Sequence, residues 1–285
     1  MDRLTSPRVI REIMEAFNFR FSKGLGQNFL ISDSTLDEIV EGSKITKEDY
    51  VLEVGPGFGT LTQALCASAK KVVSVELDKR LRDVLYCTLQ DFDNFTLIEG
   101  DILKIDLEEL VEREFKGKKI KVAANLPYYI TSPIVMMFLE SKVAVDMVTV
   151  MVQKEVAERM QAGPGTKTYG ALSVAVQYYS NPQIISHVGK ELFMPSPKVD
   201  SAVICLDVYD EKPIKAKDEE LFFKVVKASF GMRRKTLLNA LSAGLKRDKV
   251  YIRETLESVD IDPKRRGETL DLKEFVKLAD AMTNN

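Results

Sequence analysis

Val51-Leu52-Glu53-Val54-Gly55-Pro56-Gly57-Phe58-Gly59 is the stretch on which the fold turns. A β-branched, apolar run leads into three glycines, and Leu61 to Ala67 then reads as helix. Strand, glycine loop and helix in that order place backbone N–H groups where a ligand can approach closely, with glycine permitting backbone angles closed to other residues. The spacing is G-x-G-x-G, not the G-x-G-x-x-G of dinucleotide-binding loops. Glu76 follows about 20 residues on, at the end of a second apolar run, where a carboxylate can accept from both hydroxyls of a ribose. That pairing suits NAD and S-adenosylmethionine equally well.

Working outward, the same alternation continues. Val72-Val73-Ser74-Val75, Phe95 to Ile98, Ile120 to Ala124 and Val145 to Val152 read as strands, with helices between them, one from about Lys79 to Gln90. Ser132-Pro133 suits a helix start, serine as cap and proline in the first turn. This alternation predicts a mostly parallel sheet covered on both faces. Ile184 to Val188 and Ala202 to Val208 follow closely enough to end the sheet as an antiparallel pair. Asp210-Glu211-Lys212-Pro213 opens a charged, linker-like stretch, beyond which Leu221, Phe222, Val225, Val226, Ser229 and Phe230 recur at helical spacing. The expected division is an α/β domain over residues 1–210, its first 23 residues a mildly basic amphipathic extension, and a small all-helical domain over 211–285.

Formal charge is −2, but it is unevenly spread. From Lys212 to Gly267 there are fifteen Lys and Arg against eight Asp and Glu, a net of +7, leaving 26 against 35, or −9, elsewhere. An acidic body with a basic module can meet a polyanion through one face. Cys66, Cys87 and Cys205 are widely spaced without metal-ligand spacing, which points to reduced thiols and a cytoplasmic protein. No stretch reaches membrane-spanning length. His187 is the only histidine and lies in an alternating stretch, which disfavours a zinc site or a histidine-based triad.

Two further strand ends carry chemistry. Asp101, in Gly100-Asp101-Ile102, ends the third strand; it suits either a helix cap or an acceptor for an adenine amino group. Asn125-Leu126-Pro127-Tyr128 follows the fourth strand. The Asn125 amide oxygen and the Leu126 carbonyl can accept the two N–H groups of an adenine, Pro127 fixes the turn, and Tyr128 can stack on an extruded base.

Together these motifs resemble the KsgA-type ribosomal RNA adenine dimethyltransferases over nearly the whole chain. Gly24-Leu25-Gly26-Gln27-Asn28-Phe29-Leu30 resembles the family's first motif, Phe193 to Ser201 its later loop, and Phe230 to Leu237 its basic helix. The resemblance implies a Rossmann-like class I methyltransferase domain with a seven-stranded sheet. It implies S-adenosylmethionine held by Asn28, Leu30, Gly55, Gly57, Glu76, Asp101 and Asn125, with no metal. It places the reaction at Asn125, Leu126, Pro127 and Tyr128, and has Phe193 close on the other face of the base. Arg233, Arg234 and Lys235 would hold RNA phosphates from a helix. The implied substrate is two adjacent adenosines in a hairpin loop near the 3′ end of small-subunit RNA, met in an immature subunit; no apolar stripe beyond the expected cores points to a permanent dimer, so a monomer is expected. Three alternatives stand beside it: a large-subunit RNA methyltransferase of the resistance class, a nicotinamide-dependent dehydrogenase, and a ribosome-assembly binding protein.

Overall fold

The computed structural model describes residues 4–283; the first three residues of the amino-terminal extension lie outside the described residues. The strands run β1 (Phe29–Leu30), β2 (Tyr50–Val54), β3 (Lys71–Glu76), β4 (Phe95–Glu99), β5 (Ile120–Asn125), β6 (Val145–Gln153), β7 (Ser180–Val188), β8 (Phe193–Met194) and β9 (Ser201–Val208). Seven form one sheet in the order β4-β3-β2-β5-β6-β9-β7, and β1 pairs antiparallel with β8 apart from it. The pairs β2–β3, β2–β5, β3–β4 and β5–β6 are parallel, and β9 runs antiparallel to β6. Val51, Leu52, Val72, Val73, Val122, Ala123, Val148 and Val150 are buried, the near-continuous apolar pattern of strands covered on both faces. The order of strands reverses between β2 and β5, and their carboxyl ends lie along one edge, where open α/β sheets bind ligands.

The glycine loop has three residues in the left-handed region: Gly55 at φ +69°, Gly57 at +60° and Gly59 at +90°. A Cβ on Gly57 would come within 2.6 Å of the Phe29 ring, so backbone angle and space both exclude a side chain. Phe29 stacks on Phe58 at 4.2 Å between centroids, and Phe19 meets Phe58 edge-on at 5.1 Å. Ile10 and Phe19, from the amino-terminal extension, are buried in this aromatic cluster, which makes the extension part of the core behind the loop. The expected serine cap at Ser132 is corrected: the helix is Thr131–Glu140, so Ser132 lies inside its first turn. The Pro127 carbonyl accepts the Ile130 N–H and the Thr131 hydroxyl, each at 3.2 Å, and closes the turn instead.

The chain divides into two compact units, residues 1–157 with 182–208, and residues 158–181 with 209–285. The last crossing between the units falls after Val208, and residues 158–179, which the sequence reading put in the α/β domain, cluster with the carboxyl-terminal helices, while Ser180 opens β7. The reason is aromatic: Tyr178 stacks on Phe222 at 4.7 Å and Tyr179 on Phe223 at 5.8 Å, and the Tyr178 hydroxyl donates to Glu219 at 3.0 Å. Lys212, at the head of the supposed linker, sits 4.6 and 4.4 Å from the same two rings and pairs with Glu219. Helices Glu219–Gly231, Leu237–Leu245, Lys249–Ser258 and Leu272–Thr283 bury Phe222, Val226, Leu241, Ile252, Leu256 and Phe275 to complete this second core.

Candidate active site

An open cavity, continuous with solvent, lies at the carboxyl ends of β2, β3, β4 and β5. Asn28, Leu30, Gly55, Gly57, Glu76, Asp101, Asn125, Leu126, Pro127 and Tyr128 all line it. Tyr128 is half-buried and opens onto the same space as Gly55, so it is not sealed in the interior.

The floor is acidic. Glu76 ends β3, and its Oε1 accepts the Asp78 N–H at 2.7 Å while Oε2 accepts the Gly57 N–H at 3.4 Å. Burial pushes its carboxyl up to about 7, against the pull of those N–H groups. Glu53, inside β2, is wholly buried and also raised to about 7 by burial, with the Glu76 charge adding to the rise. Hydroxyls of Ser74 at 2.6 Å and Thr62 at 2.7 Å satisfy it. Glu53 is a wall residue that the sequence reading passed over; an acid inside an otherwise apolar strand was the available signal. Asp101 lines the cavity, and its Oδ1 caps the next turn by accepting the Leu103 N–H at 3.1 Å, as the cap reading expected.

The opposite wall is built on Asn125 and the segment before β1. The Asn125 Nδ2 donates to the Asn28 carbonyl at 3.0 Å, and this assigns the amide: Oδ1, which accepts nothing among the described residues, is left for a ligand. Asn28 in turn donates to the Gly26 carbonyl at 3.1 Å. Gln27, which sequence reasoning gave no role, ties this segment to the sheet: its Nε2 donates to Asp78 at 2.9 Å and its Oε1 accepts the Ser22 N–H at 2.9 Å. The Leu126 N–H donates to Met151 at 3.2 Å, and the Tyr128 hydroxyl lies 2.7 Å from Ser201 Oγ. Tyr129, also missed, is 58% exposed at the rim, its ring 3.5 Å from where a Cβ on Gly26 would stand.

Two expectations need correction. Phe193 does not line the cavity. It pairs with Leu30 across β1 and β8, and the two side chains share the inward face and enter one apolar cluster, leaving Phe193 3% exposed. Arg233, Arg234 and Lys235 are exposed, but they stand in the turn between helices Glu219–Gly231 and Leu237–Leu245 rather than on a helix. Splayed from a turn, they escape the helical periodicity that would have let only two face one strand. The neighbouring loops reach the same turn: the Leu237 N–H donates to Arg265 O at 2.7 Å, and an Arg233 guanidinium N–H donates to Lys167 O. Exposed Lys264, Arg266 and Lys167 thereby join the cationic surface. Sequence separation hid them.

Comparison with known proteins follows the same lines. A relative from Alkaliphilus metalliredigens, named ribosomal RNA small subunit methyltransferase A, is 54% identical over 279 residues, covering 98% of this chain and 97% of its own. One of the same name from Clostridioides difficile is 52% identical, covering 98% and 96%. Among solved structures, a dimethyladenosine transferase from Plasmodium falciparum superposes with a TM-score of 0.74 at 27% identity, over 88% of this chain and 95% of that one. The 23S rRNA methyltransferase ErmE shares the fold, with a TM-score of 0.70 at 24% identity over 90% and 100%. The family model described as ribosomal RNA adenine dimethylase matches residues 16–278, and the chain belongs to that family.

Proposed function

We propose that this chain transfers methyl groups from S-adenosylmethionine to the exocyclic amino groups of two adjacent adenosines near the 3′ end of small-subunit (16S) ribosomal RNA, two to each base. The observation that carries the reading is the Asn125 amide, its nitrogen committed to Asn28 and its oxygen free on the cavity wall. The names of the relatives support a small-subunit substrate over the large-subunit alternative.

The residues fit the methyl donor. Gly55 faces open space where a side chain would stand, so backbone can meet the ligand. Glu76 would take the ribose hydroxyls, Asp101 the adenine amino group, and Asn28 and Leu30 the remaining wall. When bound, S-adenosylmethionine supplies an electrophilic sulfonium methyl and leaves as a neutral thioether.

An adenine amino nitrogen is a poor nucleophile because its lone pair is delocalised into the ring. Asn125 Oδ1 and a backbone carbonyl accept its two N–H groups and favour a more tetrahedral nitrogen. The Pro127 carbonyl is already spent on Ile130 and Thr131, so Leu126 supplies the second acceptor. Tyr128 stacks on the base, worth about 1–3 kcal/mol. No strong base is required before transfer, because the nitrogen releases its proton to solvent once the methyl group is on it; alignment supplies the rate. After one methylation a single N–H remains, so one acceptor is relinquished for the second. A loop substrate suits this site, since unpaired bases splay out at modest cost.

Arg233, Arg234 and Lys235 would hold phosphates of the RNA in an immature small subunit, with the protein acting as a cytoplasmic monomer in subunit biogenesis. No described helix is long and apolar enough to cross a membrane. The test is methyl transfer to small and to large subunits from unmodified ribosomes, with Asn125→Ala alongside. Labelled dimethyladenosine is expected in small-subunit RNA only, with subunit binding retained and methylation lost in the variant. Label confined to large-subunit RNA, or a variant as active as the wild type, overturns the reading.

A further inference from the structure

Stacking on a base needs a ring, not a phenol. Tyr128 nevertheless carries a hydroxyl, and that hydroxyl is spent: it lies 2.7 Å from Ser201 Oγ. Ser201 is fully buried, the first residue of β9, paired with Gln153 at the end of β6. The residue before it is held on both sides, Asp200 accepting the Lys154 N–H on its carbonyl at 3.0 Å and the Lys190 N–H on Oδ1 at 3.2 Å. Ser201 Oγ is therefore a fixed point, while Tyr128 stands on a half-buried turn and its ring is carried by two side-chain torsions.

We propose that Ser201 is a positioning residue: it sets the plane of the Tyr128 ring against the target base. The segment from Phe193 to Ser201 then serves the base site through its last residue, while Phe193, its first, packs in the core. This rests on the proposed base-stacking role of Tyr128 and deepens it.

The test is a cycle of Ser201→Ala, Tyr128→Phe and the double variant in the full-length protein. Single-turnover methylation at saturating RNA should fall about five- to tenfold in each single variant, the scale of one hydrogen bond, with no further fall in the double. Affinity for S-adenosylmethionine should not move, and melting temperature should fall by only about 2–4 °C, what one buried hydrogen bond is worth. Independently of any activity, ¹³C relaxation of the Tyr128 ring should show faster ring motion in Ser201→Ala than in wild type. An unchanged ring, additive losses, or a fully active Tyr128→Phe would each overturn the proposal. A wild-type protein inert on small-subunit RNA with the ring effect intact would instead overturn the base-site reading and leave the strut standing.

Discussion

The turn at Asn125 and the turn at Arg233 were both visible as short runs of suggestive residues, yet they are built oppositely. Asn125 is oriented by a hydrogen bond at 3.0 Å to Asn28, whose neighbour Gln27 is tied to Asp78 and so to the strand that ends in Glu76. Arg234 and Lys235 project from a turn into solvent, with only the backbone beneath them ordered by neighbouring loops. The difference fits the jobs proposed for the two turns. Aligning one amino nitrogen tolerates little displacement, so its partners are themselves held. Attraction of phosphates tolerates a great deal, because charge acts at a distance and long side chains adapt.

The largest effect should come from spoiling the orientation without removing the acceptor. Asn125→Asp keeps carboxyl oxygens but cannot donate to Asn28, and we expect kcat to fall by about 10²–10³-fold, close to the loss in Asn125→Ala. A mildly impaired Asn125→Asp would break the comparison, because orientation would then not matter. Next, neutralising Arg233, Arg234 and Lys235 together should weaken RNA binding at every sequence. It should also reduce the slope of log K against log salt by about 2, from roughly 0.7 per phosphate on single strands. An unchanged slope would remove these residues from the interface.

Gly57→Ala sharpens the point about rigidity. Its φ of +60° and the Phe29 ring at 2.6 Å should cost about 1–3 kcal/mol in stability, measured by chemical denaturation, and weaken cofactor affinity with it. Gly165→Ala, with a φ of +78° but open space around it, should lose less, since no ring has to move.

The smallest effects are in pH. Glu76, held up to about 7 by burial, is the better acceptor for ribose hydroxyls when ionised. Affinity for S-adenosylmethionine, followed by calorimetry, should therefore rise severalfold between about pH 6 and 8, and Glu76→Gln should flatten the curve. Folding has the opposite sign. Glu53 and Glu76 are raised in the folded state from 4.5, so the native protein holds protons that the unfolded chain has released. Their contribution is fully present below about 4.5 and is lost as pH climbs through about 7. Glu53→Gln should gain on the wild type above that pH; a variant that tracks the wild type across the range would contradict the burial argument.

Much of the sheet and its cavity could be read before any coordinates. Strand identity follows from local β-branched runs such as Val72 to Val75, and the glycines at 55, 57 and 59 announce a loop that needs positive φ whatever surrounds it. Asn125 and Glu76 could be placed because parallel strands put their carboxyl ends on one edge. Phe193 was misplaced because pairing with Leu30, not its own motif, decides which way its ring faces. The clustering of residues 158–179 with the carboxyl-terminal helices was not legible, because helical periodicity says which face is apolar but not what that face meets.

What the chain determines alone is therefore local and periodic: the alternation of strands and helices, the left-handed loop, and which residue types stand at the strand ends. What the tertiary structure decided is orientation. The direction of the Asn125 amide, the burial of Phe193, the bond from Tyr128 to Ser201 and the gathering of Lys167 and Arg233 all depend on groups tens of residues apart. Spacing along a chain carries no information about which distant donor meets which acceptor; that is settled only when packing brings them within 3 Å.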